Sequence, residues 1–358
     1  MATNARVWPD IAIPPGETVA GAIVALGISQ AELARRMGRP PQVVNEIIHG
    51  SKEITPETAI QLERVLGVPA HVWVRLQADY DCTKARLADA ERVAKEIPLA
   101  EEFPYNSIAN LGWVPRAKKP EERAENLLRF FGVASLASVP QPSVALRRTG
   151  RTYSARALAA WLRQGERAAQ KVEVAPFNAD ALRALIPKFS GYTRQEPEQW
   201  FPKLQHDLAS CGIVLVVLQH LPGMGAYGAA RWLAGKVLIQ LCVIRKYEDQ
   251  FWFTFFHELA HVLQQPQTDV IEFEGNGKNE AGENAANACA QNWLVPPDRY
   301  HAWTLSFGTY YPSTESVRRF AADVGIAPAV VVGRLQSDGK LPHTHLNGLR
   351  RRFDIKET

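Results

Sequence analysis

Apolar residues are spaced unevenly along this chain, and the spacing predicts two kinds of architecture in succession. Between residues 14 and 80 it gives five short helical signals: Glu17 to Leu26, Gln30 to Met37, Pro41 to Ile48, Pro56 to Leu66 and His71 to Tyr80. Ser29 stands where it can cap the second, with Glu32 at the third helical position, the arrangement of a capping box. Gly38 and Gly50 close the second and third helices, and Pro41 suits a first turn because its missing N–H would have no helical partner. Further on, Ala85 to Ile97 reads as a charged helix. Lys118 to Val133 is amphipathic, with Leu127, Leu128, Phe130 and Phe131 able to face a core. VPQPS at 139–143 marks a turn or linker, and Ala155 to Gln170 and Asn178 to Leu185 read as helices. Two continuous apolar runs, Ile213 to Leu218 and KVLIQLCVI at 236–244, read as strands. The block FWFTFF, Phe251 to Phe256, leads into a buried helix, and EAGENAANACAQNWL, 280–294, is a helix whose small residues permit close approach. There is no internal repeat and no low-complexity tract.

Composition places these elements in a soluble, cytoplasmic setting. A chain of 358 residues suits two or three domains, each with its own core. No apolar run reaches the length of a membrane span, and the beginning carries no signal-peptide pattern, so no membrane partner is expected. Cys82, Cys211, Cys242 and Cys289 have no paired spacing and read as reduced, small core residues. The net charge of +4 is small; part of it lies in a basic tail, Arg350 to Arg352, expected to be solvated or to touch nucleic acid.

The chemistry concentrates in His257-Glu258-Leu259-Ala260-His261. Residues i and i+4 of a helix share one face, so two imidazoles there can hold one zinc ion, while Glu258 can reach water at that metal. Two buried histidines beside a buried glutamate need partners, and a metal supplies them. Zinc then requires a third protein ligand and an open position. Glu274, Glu280 and Glu283 are candidates; Glu283 is favoured, because Asn287, four residues on, would face the same way and accept the free ring N–H of a ligand histidine.

HELAH, followed by Glu283-x-x-Ala286-Asn287-x-x-Ala290 and then Leu294-Val295-Pro296, resembles the ImmA/IrrE-type metallopeptidases. Gly228 to Trp232 and the segment Gly325 to Gln336 extend the resemblance over roughly residues 175–350; Cys289 departs from the aromatic usual at its position. The resemblance implies a zincin-like α+β domain with a small sheet and a gluzincin-like ligand set of two His and one Glu. By zinc chemistry, Glu258 is the base that takes a proton from water and passes it to the leaving amine. A donor for the developing oxyanion is also needed, and His220, Tyr227, Arg231, Tyr247 and Arg334 remain open as candidates. The strand KVLIQLCVI is either an ordinary core strand or a sheet edge able to pair with an extended substrate.

The front of the chain is a different object. Two short helices joined through Gly38 make a helix-turn-helix. Pro15-Gly16-Glu17, Leu26 to Ala34, Gly50 to Glu57, Leu66-Gly67-Val68 and Trp73 to Asp79 resemble the Cro/repressor type of DNA-binding domain, and within it the HigA-like antitoxins. This implies an operator in double-stranded DNA as partner, and a homodimer is compatible with it, since such modules often pair. Gln42 and Asn45 share a face of the reading helix and can bond adenine edges. Gln30, Arg39, His49, Ser51 and Lys52 are placed to meet phosphates, as is a cluster of Arg35, Arg36, Arg39 and Lys52. Against this, residues 1–80 hold seven Lys or Arg and eight Asp or Glu, about −1 in all, and a protein-docking module is the alternative.

The expected organisation is a multidomain chain. An all-α helix-turn-helix domain covers 8–82, a helical middle region 83–174, a zinc peptidase domain 175–310 and a helical segment with the basic tail 311–358. The expected function joins DNA binding to zinc-dependent cleavage of a protein substrate such as a repressor or antitoxin. The resemblance sets that in stress response, phage-related switching or toxin–antitoxin control. The alternative is a HigA-like repressor or antitoxin whose peptidase-like domain senses or binds partners without cutting.

Overall fold

The computed structural model describes residues 11–140, 153–233, 235–242, 247–264, 268–273, 281–307 and 310–352. Glu274 and Glu280, part of the predicted turn at 139–143, and the end of the KVLIQLCVI run lie outside the described residues. The chain forms two compact units, Met1–Ile97 and Pro98–Thr358.

The first unit is helical: α1 (Pro15–Ala25), α2 (Gln30–Met37), α3 (Pro41–Ile48), α4 (Pro56–Leu66) and the start of α5 (Ala70–Ala100). Its local signals act as read. The Ser29 hydroxyl accepts from the Glu32 N–H at 3.1 Å. Gly38 turns the chain between α2 and α3 at φ 65°, a left-handed conformation that side chains resist. The apolar stripes of the five helices meet in one core, from Val19 and Leu33 through Val44, Ile47 and Leu62 to Trp73. The fifth and sixth predicted helices are one continuous helix of 31 residues, with Pro98 inside its last turn. The gap read between Tyr80 and Ala85 holds no breaker, so helix propagation carries through it.

The second unit is α+β. Before its sheet come α6 (Tyr105–Asn110), α7 (Pro120–Phe131), α8 (Ala155–Ala169), α9 (Ala179–Tyr192) and α10 (Pro197–Ser210). The strands are β1 (Ile213–Leu218), β2 (Ala226–Leu233), β3 (Lys236–Cys242) and β4 (Val270–Phe273). They lie in the order β1-β3-β2-β4, with β1 parallel to β3 and β2 antiparallel to both its neighbours. The KVLIQLCVI strand, β3, is therefore interior: its hydrogen-bonding edges are taken by β1 and β2, and it cannot pair with a substrate.

Both faces of the sheet are covered, which is why β1 is apolar and buried throughout. Helix α8 covers one face: buried Gln240 of β3 donates to the Trp161 carbonyl at 2.6 Å. The stretch expected as a helical middle region thus supplies one layer of the second unit. On the other face lie α10 and α11 (Glu248–Gln264), joined by an aromatic cluster in which Trp200 sits 4.5 Å from Trp252 and 5.3 Å from Phe251, ring centre to ring centre. Helix α12 (Ala281–Leu294) packs on α11 through Ala286 and Ala290, both fully buried. Helices α13 (Pro297–Leu305), α14 (Thr314–Val324) and α15 (Pro328–Ser337) complete the unit.

The arginines of the basic tail are paired within the second unit, while Arg351 and Arg352 remain exposed to solvent. Arg350 gives two hydrogen bonds to the buried Asp249 carboxylate, at 3.0 and 2.8 Å. Arg351 bonds buried Glu248 at 2.8 Å, and its carbonyl accepts from the Glu248 N–H at 3.1 Å. The tail is thereby tied to the first turn of α11. Burial pushes the Glu248 carboxyl up to about 7, and the Arg351 guanidinium opposes that rise. A raised folded pKa means that the proton on Glu248 favours the folded state. That contribution is complete below the ordinary carboxylate range and is lost as pH climbs through about 7. Glu248→Gln imitates the protonated form at every pH. The variant's melting temperature relative to the parent should therefore rise between pH 5 and pH 8; a flat difference across that window refutes the linkage.

All four cysteines are free, but Cys82 is exposed rather than part of a core. Among the described residues no helix is long and apolar enough to cross a membrane.

Candidate metal centre and helix-turn-helix face

Helix α11 presents His257 and His261 one turn apart, both buried, with their Nε2 atoms 2.8 Å from each other. Helix α12 brings Glu283 to the same point: its Oε2 lies 3.3 Å from His257 Nε2 and its Oε1 3.5 Å from His261 Nε2. Ligand atoms of the three residues all fall within 4.8 Å of one another, the one such group among the described residues. One turn along α12, Asn287 Oδ1 stands 3.0 Å from His257 Nδ1. An amide oxygen only accepts, so that nitrogen carries the ring proton, and a neutral His257 turns a lone pair on Nε2 toward His261 and Glu283. Lone pairs and negative charge converging in a buried spot call for a cation, and two nitrogens with one carboxylate form a donor set that catalytic zinc sites use.

Glu258, fully buried, is not one of the three. Its carboxylate lies against Gly228 of β2, where even a Cβ would overlap Glu258 Oε1. The glycine lets the strand pass over the helix at the residue that follows His257. Asn287→Ala leaves the three ligand residues in place but frees the His257 ring. Metal affinity should fall about 10- to 100-fold, read by chelator competition, and an unchanged affinity would deny Asn287 its orienting role.

The five candidate oxyanion donors are dispersed. Arg231 is on the opposite face of the sheet, 2.5 Å from Glu166 of α8 and 3.7 Å from Asp269, so it is turned away from the metal centre. Tyr247 precedes α11, ten residues before His257 or about 15 Å along a helix axis. There its hydroxyl accepts from Arg352 at 2.9 Å. The Arg334 guanidinium is bound to Asp338 at 2.8 Å and stacked on Tyr300. His220 is exposed in the loop after β1. Tyr227 adjoins Gly228, and a register shift between β2 and β4 falls at this residue. Of the five, it is the one placed next to the wall that carries Glu258. The partners of Arg231, Asp249 and Glu248 lie 38 to 103 residues away in sequence, and no local pattern announces them.

On the first unit, Gln42, Asn45 and His49 are exposed along α3 and beyond its end, and Gln30 is exposed at the start of α2. The expected cationic cluster is largely engaged within the domain. Arg35 and Arg36 both bond Glu32 at 2.7 Å, which draws that carboxyl down to about 2. Arg39 donates to Gln61 at 3.0 Å, and Lys52 lies 3.6 Å from Glu46. Gln42 donates to the other oxygen of Glu46 at 2.9 Å, and Ser51 to the Glu46 carbonyl at 3.1 Å. The Glu46 charge is thus met from two sides.

Comparison with known proteins speaks to this first unit. The helix-turn-helix family model HTH_3 matches residues 22–73. Virulence-associated protein I of Dichelobacter nodosus is 33% identical over 92 residues, 84% of that protein and 25% of this chain. The uncharacterized HTH-type transcriptional regulator YddM of Escherichia coli is 29% identical over 82 residues, 87% of its length and 23% of this chain. Among solved structures, the antitoxin HigA of Pseudomonas aeruginosa with the higBA promoter is 30% identical and covers 24% of this chain and 95% of its own, with a TM-score of 0.23. Through its N-terminal unit the chain belongs to the helix-turn-helix family, of the Cro/repressor type.

Proposed function

We propose that the chain is a DNA-binding regulator that also hydrolyses a peptide bond in a protein partner, with zinc as cofactor. The observation that carries the hydrolase half is the meeting of His257, His261 and Glu283 from two helices, with Asn287 fixing the first ring. These three residues would hold the ion. Zinc held there would lower the pKa of water from near 16 toward about 7 and would polarise a peptide carbonyl. The protein does the remaining work. Glu258 receives the proton of the attacking water on a carboxylate oxygen and delivers it to the leaving amine. Burial keeps bulk water from competing for that proton, and Gly228 has no side chain to displace the carboxylate. A repressor or an antitoxin is the substrate class suggested by a cutting unit on the same chain as a helix-turn-helix. Zinc content of the purified chain, together with cleavage of a partner encoded beside it, tests this reading. A chain that binds no divalent metal at neutral pH overturns it.

The regulatory half rests on the family of the first unit and on the exposure of Gln42 and Asn45 along α3. An operator duplex is the proposed partner. Gln42→Ala and Asn45→Ala should each weaken binding to the chain's own upstream DNA by about 1–3 kcal/mol, roughly 5- to 150-fold, and should relax sequence preference. Absence of any complex at low salt rules the operator role out.

A further inference from the structure

Beside the metal centre the second unit contains a cleft of about 750 Å³. We infer that this cleft is a side-chain pocket that receives a large, uncharged, apolar residue of a polypeptide held at the metal centre. The inference rests on the peptidase reading and adds the substrate preference to it.

Three elements run from the centre into the cleft. On α11, Phe253 and Thr254 line it one turn ahead of His257, and the Phe253 ring lies 6.0 Å from the His257 ring. On α12, Gln291 lines it one turn beyond Asn287. On β2, Tyr227 lines it beside Gly228, the residue against Glu258. A chain whose scissile bond lies at Glu258 therefore has the cleft as its neighbour. Further in, the walls are Leu241, Phe251, Leu294, Val295 and Val330, all buried. Of the lining arginines, Arg350 holds both oxygens of Asp249 and Arg334 holds Asp338, while Gln250, Gln336, Ser337 and His343 add polar groups to the lining. A carboxylate or ammonium carried to the apolar inner walls loses hydration that those walls cannot replace. An aromatic or long aliphatic side chain gains the burial of its full surface.

The test uses the full chain loaded with zinc and two readouts. In the first, ligand-detected NMR measures binding of N-acetyl-phenylalanine amide and N-acetyl-aspartate amide. The phenylalanine compound should bind and the aspartate compound should not. Gln291→Trp, which fills the cleft from a half-buried wall position, should weaken the phenylalanine compound at least about tenfold. Ser337→Trp, at an exposed lining position, blocks the same space without touching the core. In the second readout, a peptide mixture is digested and the cut sites are sequenced. Phe, Leu or Met should be enriched at one position flanking the bond, about 10- to 200-fold over smaller or charged residues. Both tryptophan variants should erase that enrichment while still cutting after small residues. Cleavage with no flanking preference, or a preference that both variants leave intact, overturns the pocket. Binding that the variants abolish, in a chain that cuts no peptide, upholds the pocket and refutes the peptidase reading.

Discussion

Glu258→Gln should lower peptide cleavage at least about a thousandfold and leave zinc content unchanged, as read by turnover of a cleaved partner alongside metal analysis. The amide keeps the shape of the carboxylate but cannot take up a proton, so the attacking water keeps its proton and the amine leaves without one. General acid–base groups are worth about 10² to 10⁴ in rate, and in the proposed mechanism Glu258 acts in both directions in one turnover, which places the loss toward the upper end. Metal retention follows from geometry: the group that could hold the ion is His257, His261 and Glu283, and Glu258 is not part of it. The glutamine has to fit against Gly228, where the space is already filled by a carboxylate oxygen; an amide nitrogen is nearly the same size, so folding should survive. Cleavage that persists in this variant removes the proposed mechanism outright. Loss of metal together with activity would instead make Glu258 part of the scaffold.

The second large effect is on stability. Trp252→Ala should destabilise the second unit by about 3–5 kcal/mol, the range for deleting a large buried aromatic. Trp252 is 1% exposed and sits among Trp200, Phe251, Phe255 and Phe256, with Trp200 at 4.5 Å. Its removal leaves a void between α10 and α11 that rigid neighbouring rings cannot collapse into. Because the two units have separate cores, the transition of the first unit should keep its midpoint. Chemical denaturation followed by circular dichroism resolves this; a loss below about 1 kcal/mol would mean that the cluster is less tightly packed than its ring distances indicate.

What could be read from the residues alone divides along physical lines. The first unit was legible because its signals are local: Ser29 caps α2 through Glu32, Gly38 supplies the left-handed turn, and apolar residues repeat at helical spacing. The approach of His257 to His261 was legible for the same reason, since i and i+4 fix a geometry whatever lies around them. Asn287 and Glu283 followed from a second i, i+4 pair and from the small residues that let α12 approach. Strand β2 escaped notice because AYGAARWL lacks the branched residues of β1; its strand character comes from pairing with β3 and β4, not from propensity. The interior position of β3 depends on sheet order, which local spacing does not encode. Arg231 looked available to an oxyanion because nothing near it in sequence shows Glu166, 65 residues earlier. The same holds for Arg35 and Arg36, whose charge counts toward a phosphate-binding face until Glu32 is seen to hold both.

The knot at Arg350 and Arg351 has an implication for the chain's vulnerability. These two arginines neutralise Glu248 and Asp249, adjacent acids that are 2% and 7% exposed. A protease that cut just after Leu349 would leave His257, His261 and Glu283 in place. It would nevertheless strand two neighbouring anions in the interior, a burden of several kcal/mol when a buried pair loses one member. The opening turn of the histidine-bearing helix would then hold together best in acid, so a clipped molecule would betray itself by fraying as the medium turns alkaline.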